Sequence, residues 1–383
     1  MTPSKKVNLL GSDTRPLGFV LSGGGSRAAY QAGVIKALAN FIDFEATPIS
    51  HIVGSSIGAI NSLIMAATVK YGYDYAADQL YQLWSERTFK NSFKGSPTST
   101  FLRSVKIAIL RYARDPGPHA TNDAIFNPEP LVNRINTTIV KHGGTSVESR
   151  GPHLKAVGVM TTIEGKERKP LMFVSSHERL SGDMMLGASF EVCHVNELTA
   201  QHGFASAALP SVLPPVSLDV DGGTVRFVDG GISQNVPVDP IVRMGAERVL
   251  VIDISGRQWW LDRYGESHDK RPDWEVPAAL KTFCIRPPET FVLRNQKPFG
   301  PLLKEAVGKS TRDFISALGA TWPVYTLIKN RLGTELAYEV MSYVALHPAY
   351  SEALMELGYN ETMDALNQKS EIEFEPILET AAV

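Results

Sequence analysis

Short apolar segments alternate with segments of helical composition along the first part of the chain. Residues 17–21 and 51–53 are apolar runs that predict buried strands, and helical patterns follow them at 28–38 and 59–67. Consecutive strand–helix units produce parallel strands, and the loops after those strands lie at one edge of the sheet. The pattern therefore predicts an α/β fold with candidate functional loops at the carboxyl ends of its first two strands.

The C-terminal part of the chain has a different pattern. Apolar residues recur at three- and four-residue spacings over 302–318, 324–330 and 351–357, which predicts helices. The acidic end over 371–383 is expected to be disordered. We therefore predict a polar tail over 1–14, an α/β domain over 15–285 with an insertion at about 85–150, and an α-helical extension over 286–383.

Composition excludes several classes of protein. Of the 383 residues, 43% are hydrophobic and 20% are charged, as in a soluble globular protein. A net charge of −2 gives no electrostatic basis for binding nucleic acid. The two cysteines, Cys193 and Cys284, have no metal-ligand spacing and favour a reducing compartment over a disulfide scaffold. No signal peptide or membrane-spanning run is recognisable, which predicts a cytoplasmic protein.

The first candidate for chemistry is Ser56, which lies between Gly54 and Gly58 where the second predicted strand meets a helix. A G-x-S-x-G sequence at such a junction is typical of a nucleophile elbow, a sharp turn that exposes the serine hydroxyl at the edge of an α/β sheet. Glycines suit the turn because larger side chains would collide with neighbouring backbone. The pentapeptide also occurs by chance, so its interpretation depends on the surrounding sequence.

A glycine-rich loop follows the first predicted strand and consists of Gly23, Gly24, Gly25, Ser26 and Arg27. Backbone N–H groups in such a loop, beside a helix N-terminus, can bind a phosphate or a developing oxyanion. A P-loop would need a lysine after the glycines, and a dinucleotide-binding loop would favour glycine where this chain has Ala28. A simple turn is a further alternative. The serine elbow after the next predicted strand favours the oxyanion interpretation.

A serine nucleophile needs a base, and histidine is the usual one. His268 and His347 are the histidines in the final third of the chain, where a Ser-His-Asp esterase of the α/β type would place its histidine. Neither has a distinctive local sequence. A surface position is the alternative for both.

An aspartate is the other candidate base. Asp229 ends the predicted strand at 224–228 and is followed by Gly230 and Gly231, which would let its carboxylate reach across a crevice. An Asp-Gly-Gly sequence is also common in hairpin turns. We predict such a turn at 221–223, where the same three residue types precede the strand instead of following it.

In this order, the glycine-rich loop, the serine elbow and the Asp-Gly-Gly sequence resemble the motifs of the patatin-like phospholipase family. The segments that flank those motifs are also similar, so the resemblance extends over residues 15–255; these segments are residues 28–34, 205–210, 214–216, 235–237 and 245–252. It implies a three-layer α/β/α fold with a mainly parallel central sheet. It also implies a lipid acyl hydrolase, of the phospholipase A, lysophospholipase or esterase type, that works through an acyl-serine intermediate.

The resemblance also implies roles for individual residues. Ser56 would be the nucleophile and Asp229 its base, in a dyad without histidine, and the N–H groups of residues 23–27 would form the oxyanion hole. The flanking motif glycines would be Gly54, Gly58, Gly230 and Gly231. No metal or cofactor would be required, and the substrate would be a lipid or another acyl ester. Ala28 stands where the family often has glycine, a departure that we expect to affect helix packing rather than chemistry.

Two further segments suggest contact with a lipid surface. Residues 101–114 would form a helix with basic residues on one side and apolar residues on the other, which could lie on an anionic membrane or pack on the core. Tryptophans at the start and end of 258–274 could likewise contact lipid or pack against the C-terminal region. Transient peripheral contact with a membrane is thus one expectation. A nucleotide-binding module that uses the glycine-rich loop without catalysis is the alternative outside the enzymes.

Overall fold

The computed structural model describes residues 8–95, 100, 124–180, 182–256 and 288–377. Within these ranges the strands form one ten-stranded sheet. The strands are β1 (Leu17–Leu21), β2 (Ile49–Ser55), β3 (Ala156–Ile163), β4 (Pro170–Ser176), β5 (Glu191–His194), β6 (Val216–Val220), β7 (Gly223–Val228), β8 (Arg248–Asp253), β9 (Glu289–Arg294) and β10 (Glu375–Pro376).

The centre of the sheet is parallel. β1 lies between β2 and β8 and runs parallel to both, β2 is parallel to β3, and β8 is parallel to β9. β3 also pairs antiparallel with β4 and, near its carboxyl end, with β7. Because parallel neighbours end at the same edge, the loops after β1 and β2 lie side by side, as the sequence predicts.

Helices surround the sheet and form the C-terminal region. The α-helices of the described ranges are α1 (Ala29–Leu38), α2 (Ile57–Thr68), α3 (Tyr73–Ser85), α4 (Phe89–Ser92), α5 (Glu129–Lys141), α6 (Ala200–Ser206), α7 (Val238–Arg243), α8 (Phe299–Val307), α9 (Thr311–Leu318), α10 (Trp322–Leu332), α11 (Thr334–Met341) and α12 (Pro348–Leu366). None of these helices is both long enough and apolar enough to cross a bilayer.

Both faces of the sheet are covered. Along β1, Phe19 and Leu21 belong to a buried cluster that includes α1 and α2, whereas Val20 belongs to a second cluster that includes Val238 and Ile241 of α7. Successive side chains of a strand point to opposite faces, so these two clusters are the two interfaces of a layered structure. The three-layer α/β/α fold with a mainly parallel sheet is therefore confirmed.

The C-terminal helices pack directly on the first layer. α12 crosses α1 so closely that a Cβ atom on Gly33 would collide with the Met355 carbonyl, and one on Gly358 with the Tyr30 carbonyl. The helical character of this region is confirmed, although it also contains β9, a strand that the periodicity did not predict. The division of the chain at residue 285 falls outside the described ranges and stays a prediction.

Several local predictions can be compared with the structure. The turn at 221–223 joins β6 to β7 as a hairpin, with φ of 50° at Asp221 and 82° at Gly222. The helix expected over 302–318 is two helices, because Ser310 begins α9 by accepting a hydrogen bond from the Asp313 N–H. Disorder was the wrong expectation for residues 371–377, where β10 pairs with β9. The segments 101–114 and 258–274 lie outside the described residues.

Candidate active site

Ser56 is the turn residue between β2 and α2. Its backbone has φ 52° and ψ −130°, a conformation that side-chain-bearing residues rarely adopt and that costs on the order of 1–3 kcal/mol. The Ser56 N–H donates a hydrogen bond to the Ser206 hydroxyl at 2.8 Å, and Ser206 in turn donates to the Met160 carbonyl. The turn thus has the strained shape expected of a nucleophile elbow, and Ser206 holds it.

The two glycines beside the turn are required by close packing. A Cβ atom at Gly58 would collide with the carbonyl oxygens of Leu21 and Ser22 at the end of β1. A Cβ atom at Gly54 would collide with the Gly58 backbone and with the Ser62 hydroxyl. The elbow can therefore lie against the glycine-rich loop only because both positions lack a side chain.

The Asp229 carboxylate reaches Ser56 from the end of β7. The Ser56 hydroxyl donates to Oδ2 of Asp229 at 2.7 Å, and the Gly231 N–H donates to Oδ1 at 2.7 Å. β7 runs antiparallel to β3 with Val228 opposite Thr162, and the Thr162 hydroxyl donates to the Asp229 carbonyl at 2.8 Å. This pairing brings Asp229 to the edge at which β2 ends.

The glycines after Asp229 also lie in tight surroundings. A Cβ atom at Gly230 would collide with the Met160 carbonyl, and one at Gly231 would lie 2.9 Å from Oδ1 of Asp229 and 2.7 Å from Oδ1 of Asn235. A side chain at either position would move the carboxylate.

Burial changes the basicity of Asp229. The exposed fractions of Asp229 and Ser56 are 5% and 8%. Desolvation raises the pKa of Asp229 to about 6, although the hydrogen bonds from Ser56 and Gly231 act to lower it. The carboxylate is therefore a stronger base than an aspartate in water, and it is still ionised at neutral pH.

The N–H groups of the glycine-rich loop fall into two sets. Three have protein acceptors: Gly23 donates to the Asn235 carbonyl, Ser26 to the Tyr343 carbonyl and Arg27 to the Gly24 carbonyl, at 3.2, 2.7 and 3.3 Å. Among the described residues, none accepts a hydrogen bond from the N–H of Gly24 or Gly25. The loop lies against the elbow, since a Cβ atom at Gly23 would be 2.7 Å from Cβ of Ser56. Two donors are thus available beside the serine.

The Arg27 side chain connects the loop to the C-terminal helices. Its guanidinium donates to the Glu339 carboxylate at 2.6 Å and to the Ser342 hydroxyl at 2.7 Å, and it stacks on the Tyr343 ring, 3.6 Å from the centroid. Arg27 and Glu339 are both fully buried. Arg27 therefore positions the loop from behind, a role that the sequence motif did not reveal.

A cavity of about 340 Å³ contains Ser56, Asp229, Gly24 and Gly25 in its lining. Most of its wall is apolar and includes Phe93, Phe126, Val212, Ile232, Val344 and Leu346. Such a wall suits an acyl chain. A larger groove of about 590 Å³ lies beside Ile49, at the opposite end of β2, and contains none of the predicted site residues.

The predicted histidines do not join this arrangement in the described part of the chain. His347 begins α12, where its Nδ1 accepts a hydrogen bond from the Ala349 N–H at 3.2 Å. His268 lies outside the described residues. No described histidine forms a hydrogen bond with Ser56, whose hydroxyl donates to Asp229.

The fold, together with the serine, the aspartate and the glycine-rich loop at the carboxyl edge of the sheet, indicates an α/β protein of the hydrolase class. Residues 19–242 match the sequence model of the family described as patatin-like phospholipase. Because this match includes more than half of the chain, the chain belongs to the patatin-like phospholipase family, which makes it a lipid-hydrolysing enzyme. Glu339, Ser342 and Tyr343 lie outside the matched residues. No protein with a curated description matches the chain.

Three solved structures show a general likeness. VipD from Legionella pneumophila is 13% identical (TM-score 0.36), and the likeness covers 96% of this chain and 72% of VipD. The type III effector protein ExoU is 15% identical (TM-score 0.36), and the likeness covers 95% of this chain and 55% of ExoU. Human GIVD cytosolic phospholipase A2 is 11% identical (TM-score 0.44), and the likeness covers 93% of this chain and 60% of that protein. This chain thus spans little more than half of the length of the last two. The family assignment rests on the sequence match.

Proposed function

We propose that the protein hydrolyses fatty-acyl esters of lipids through an acyl-serine intermediate formed on Ser56, with Asp229 as the base. The observation that carries this proposal is the 2.7 Å hydrogen bond from the Ser56 hydroxyl to Asp229, at a strained turn in an apolar cavity. The Asp229 carboxylate accepts the proton as Ser56 Oγ attacks the ester carbonyl, and it passes this proton to the alcohol oxygen as the ester C–O bond breaks and the acyl-serine forms. It then accepts a proton from the water that attacks the acyl-serine, and this proton returns to Ser56 Oγ as the fatty acid leaves.

In this proposal, only two of the five residues of the glycine-rich loop form the oxyanion hole. The N–H groups of Gly24 and Gly25 are the donors, because those of Gly23, Ser26 and Arg27 are already bonded to carbonyls. Each such donor contributes about 3–4 kcal/mol of transition-state stabilisation in other serine hydrolases. No step of this sequence uses a metal or a cofactor.

Substrate would enter from a lipid surface. Leu209 lines the cavity and is 42% exposed, so one apolar side chain of the cavity wall is open to solvent. This supports transient contact with a membrane or micelle.

Covalent labelling and hydrolysis assays together test the proposal. A fluorophosphonate probe should label the wild type and Ser85→Ala, whose serine lies outside the cavity, but not Ser56→Ala. In a panel of phospholipids, lysophospholipids and neutral esters, both Ser56→Ala and Asp229→Asn should lose at least about 1000-fold in kcat.

The same assay separates the dyad from a histidine mechanism. His268→Gln and His347→Gln should retain wild-type turnover. If either folded variant loses activity as completely as Ser56→Ala, then a Ser-His-Asp esterase is the correct mechanism. A folded wild type that is not labelled at Ser56 would contradict any serine hydrolase.

A further inference from the structure

Arg87 is a buried cation in the wall of the catalytic cavity. Its exposed fraction is 6%, and it lies between α3 and α4. Its guanidinium stacks on the Trp84 ring, 4.5 Å from the centroid, and Trp84 is itself held by a hydrogen bond from its indole N–H to Asn61. No described residue accepts a hydrogen bond from the buried Nε of Arg87. Arg87 and Asp229 are the two charged residues of the cavity lining in the described part of the chain.

Other buried arginines of the described residues have partners within the chain. Arg27 pairs with Glu339 and Arg243 with Asp239, and Arg150 donates to several backbone carbonyls. A buried charge without a partner is costly, and a well-packed core normally pairs it or excludes it. In the described part of the chain, Arg87 therefore differs from these arginines because it has neither a carboxylate partner nor a set of backbone acceptors like that of Arg150.

The nearest acidic neighbour in sequence is already engaged. The Glu86 carboxylate accepts a hydrogen bond from Arg134 at 2.6 Å, so it is paired with Arg134 and not with Arg87. Burial, with a smaller contribution from the positive charge of Arg134, lowers the pKa of Arg87 to about 9, which leaves the guanidinium charged at neutral pH. An anion that enters the cavity would offset both the desolvation of Arg87 and its repulsion by Arg134.

We propose that Arg87 binds the phosphate of a glycerophospholipid substrate inside the catalytic cavity. This inference rests on the proposed function, because it assigns the headgroup of the ester that Ser56 hydrolyses. A guanidinium binds phosphate oxygens with two parallel hydrogen bonds, and its planar face can remain stacked on Trp84. The apolar wall would hold the acyl chain while Arg87 holds the phosphate. A neutral glyceride would leave the buried cation unpaired, so the site selects for phospholipid.

Binding of non-hydrolysable lipids tests this inference independently of catalysis. The probes are a short-chain ether phosphocholine and the matching ether glycerol, which has the same alkyl chain and no phosphate, and calorimetry measures both dissociation constants. The wild type should bind the phosphate-bearing probe about 10- to 100-fold more tightly. Arg87→Gln should lose this preference and keep its affinity for the ether glycerol. The matched control, Arg134→Gln, removes a nearby arginine outside the cavity and should keep the preference.

Further outcomes distinguish the sources of the anion and show whether the headgroup site or the proposed function has failed. Inorganic phosphate or a short-chain carboxylate that binds through Arg87 as tightly as the ether phosphocholine would overturn a headgroup site. Equal affinities of the wild type for the two ether probes would overturn it as well. In hydrolysis, Arg87→Gln should lower kcat/KM for a lysophospholipid by about 10- to 100-fold and leave the matching monoacylglycerol within a few-fold. Phosphate-dependent binding by a wild type that hydrolyses no ester would support the site and contradict the proposed function.

Discussion

The replacement Asp229→Asn should make the protein more stable at neutral pH while it abolishes turnover. The asparagine keeps the shape of the side chain: its carbonyl can accept from the Gly231 N–H, and its amide can donate to Ser56. What it removes is a buried charge. In the wild type, desolvation raises the pKa of Asp229 from 3.8 to about 6. At 1.36 kcal/mol per pKa unit, keeping this group ionised in the folded protein costs about 3 kcal/mol.

The sign of the pH dependence follows from the raised pKa. Between about pH 4 and 6 the folded protein binds more protons at this site than the unfolded chain does, so the Asp229 contribution to stability falls as the pH rises. Above about pH 6 the cost is complete and constant. The difference in unfolding free energy between Asp229→Asn and the wild type should therefore grow in favour of the variant, by about 2 kcal/mol between pH 4.5 and 8.

Urea unfolding, followed by far-UV circular dichroism at several pH values, measures this difference. Asp221→Asn removes a carboxylate from the exposed hairpin turn and should leave the pH dependence of the wild type unchanged. A difference between Asp229→Asn and the wild type that does not vary with pH would refute the reasoning, because the buried carboxyl would then not titrate near pH 6.

Four other predictions follow from the same geometry. The kcat/KM should rise tenfold per pH unit up to about pH 6 and then level off, because Asp229 must be ionised to accept a proton; a profile flat down to pH 5 would contradict this. Gly25→Ala, at φ 60° and against the Tyr343 carbonyl, should lower kcat at least about 100-fold, whereas Gly222→Ala, at φ 82° in open space, should not. Ser206→Ala leaves the buried Ser56 N–H unpaired, so thermal unfolding should show a loss of about 1–3 kcal/mol, with kcat reduced more than KM is raised. Glu339→Gln should cost about 3–5 kcal/mol by leaving Arg27 without its buried partner, whereas the exposed Glu305→Gln should be neutral in the same denaturation assay.

The sequence predicts the central part of this site because its signals are local. A strand followed by a glycine turn and a helix has a recognisable pattern, so β1, β2 and the turn at Ser56 could be located from periodicity and glycine positions. Asp229 was harder to place, since an Asp-Gly-Gly sequence fits a hairpin turn, as it does at Asp221. Its pairing with Ser56 depends on the antiparallel register of β7 against β3, which no local pattern shows.

The residues that the sequence did not reveal are those whose role depends on distant contacts. Arg87 occupies an ordinary position after a helix, and only the folded cavity shows that no described carboxylate pairs with it. Ser206 lies in a segment that the sequence identifies only by its resemblance to the family, and the structure shows that its hydroxyl accepts from the Ser56 N–H. Tyr343 lies in a region where periodicity predicts helices and no chemistry. Its backbone carbonyl accepts from the Ser26 N–H and its ring stacks on Arg27, and neither contact has a local sequence signal.

The contacts from Ser26 and Arg27 to Tyr343 and Glu339 determine when the enzyme can become active during its synthesis. Both proposed catalytic residues are translated well before the helices that hold the glycine-rich loop. A nascent chain that ends before Glu339 has its serine and its aspartate but lacks the carbonyl and the carboxylate that fix the loop. We therefore expect hydrolysis to begin only after the C-terminal helices have been made and have docked, so that a chain terminated before Glu339 should have no lipid-hydrolysing activity.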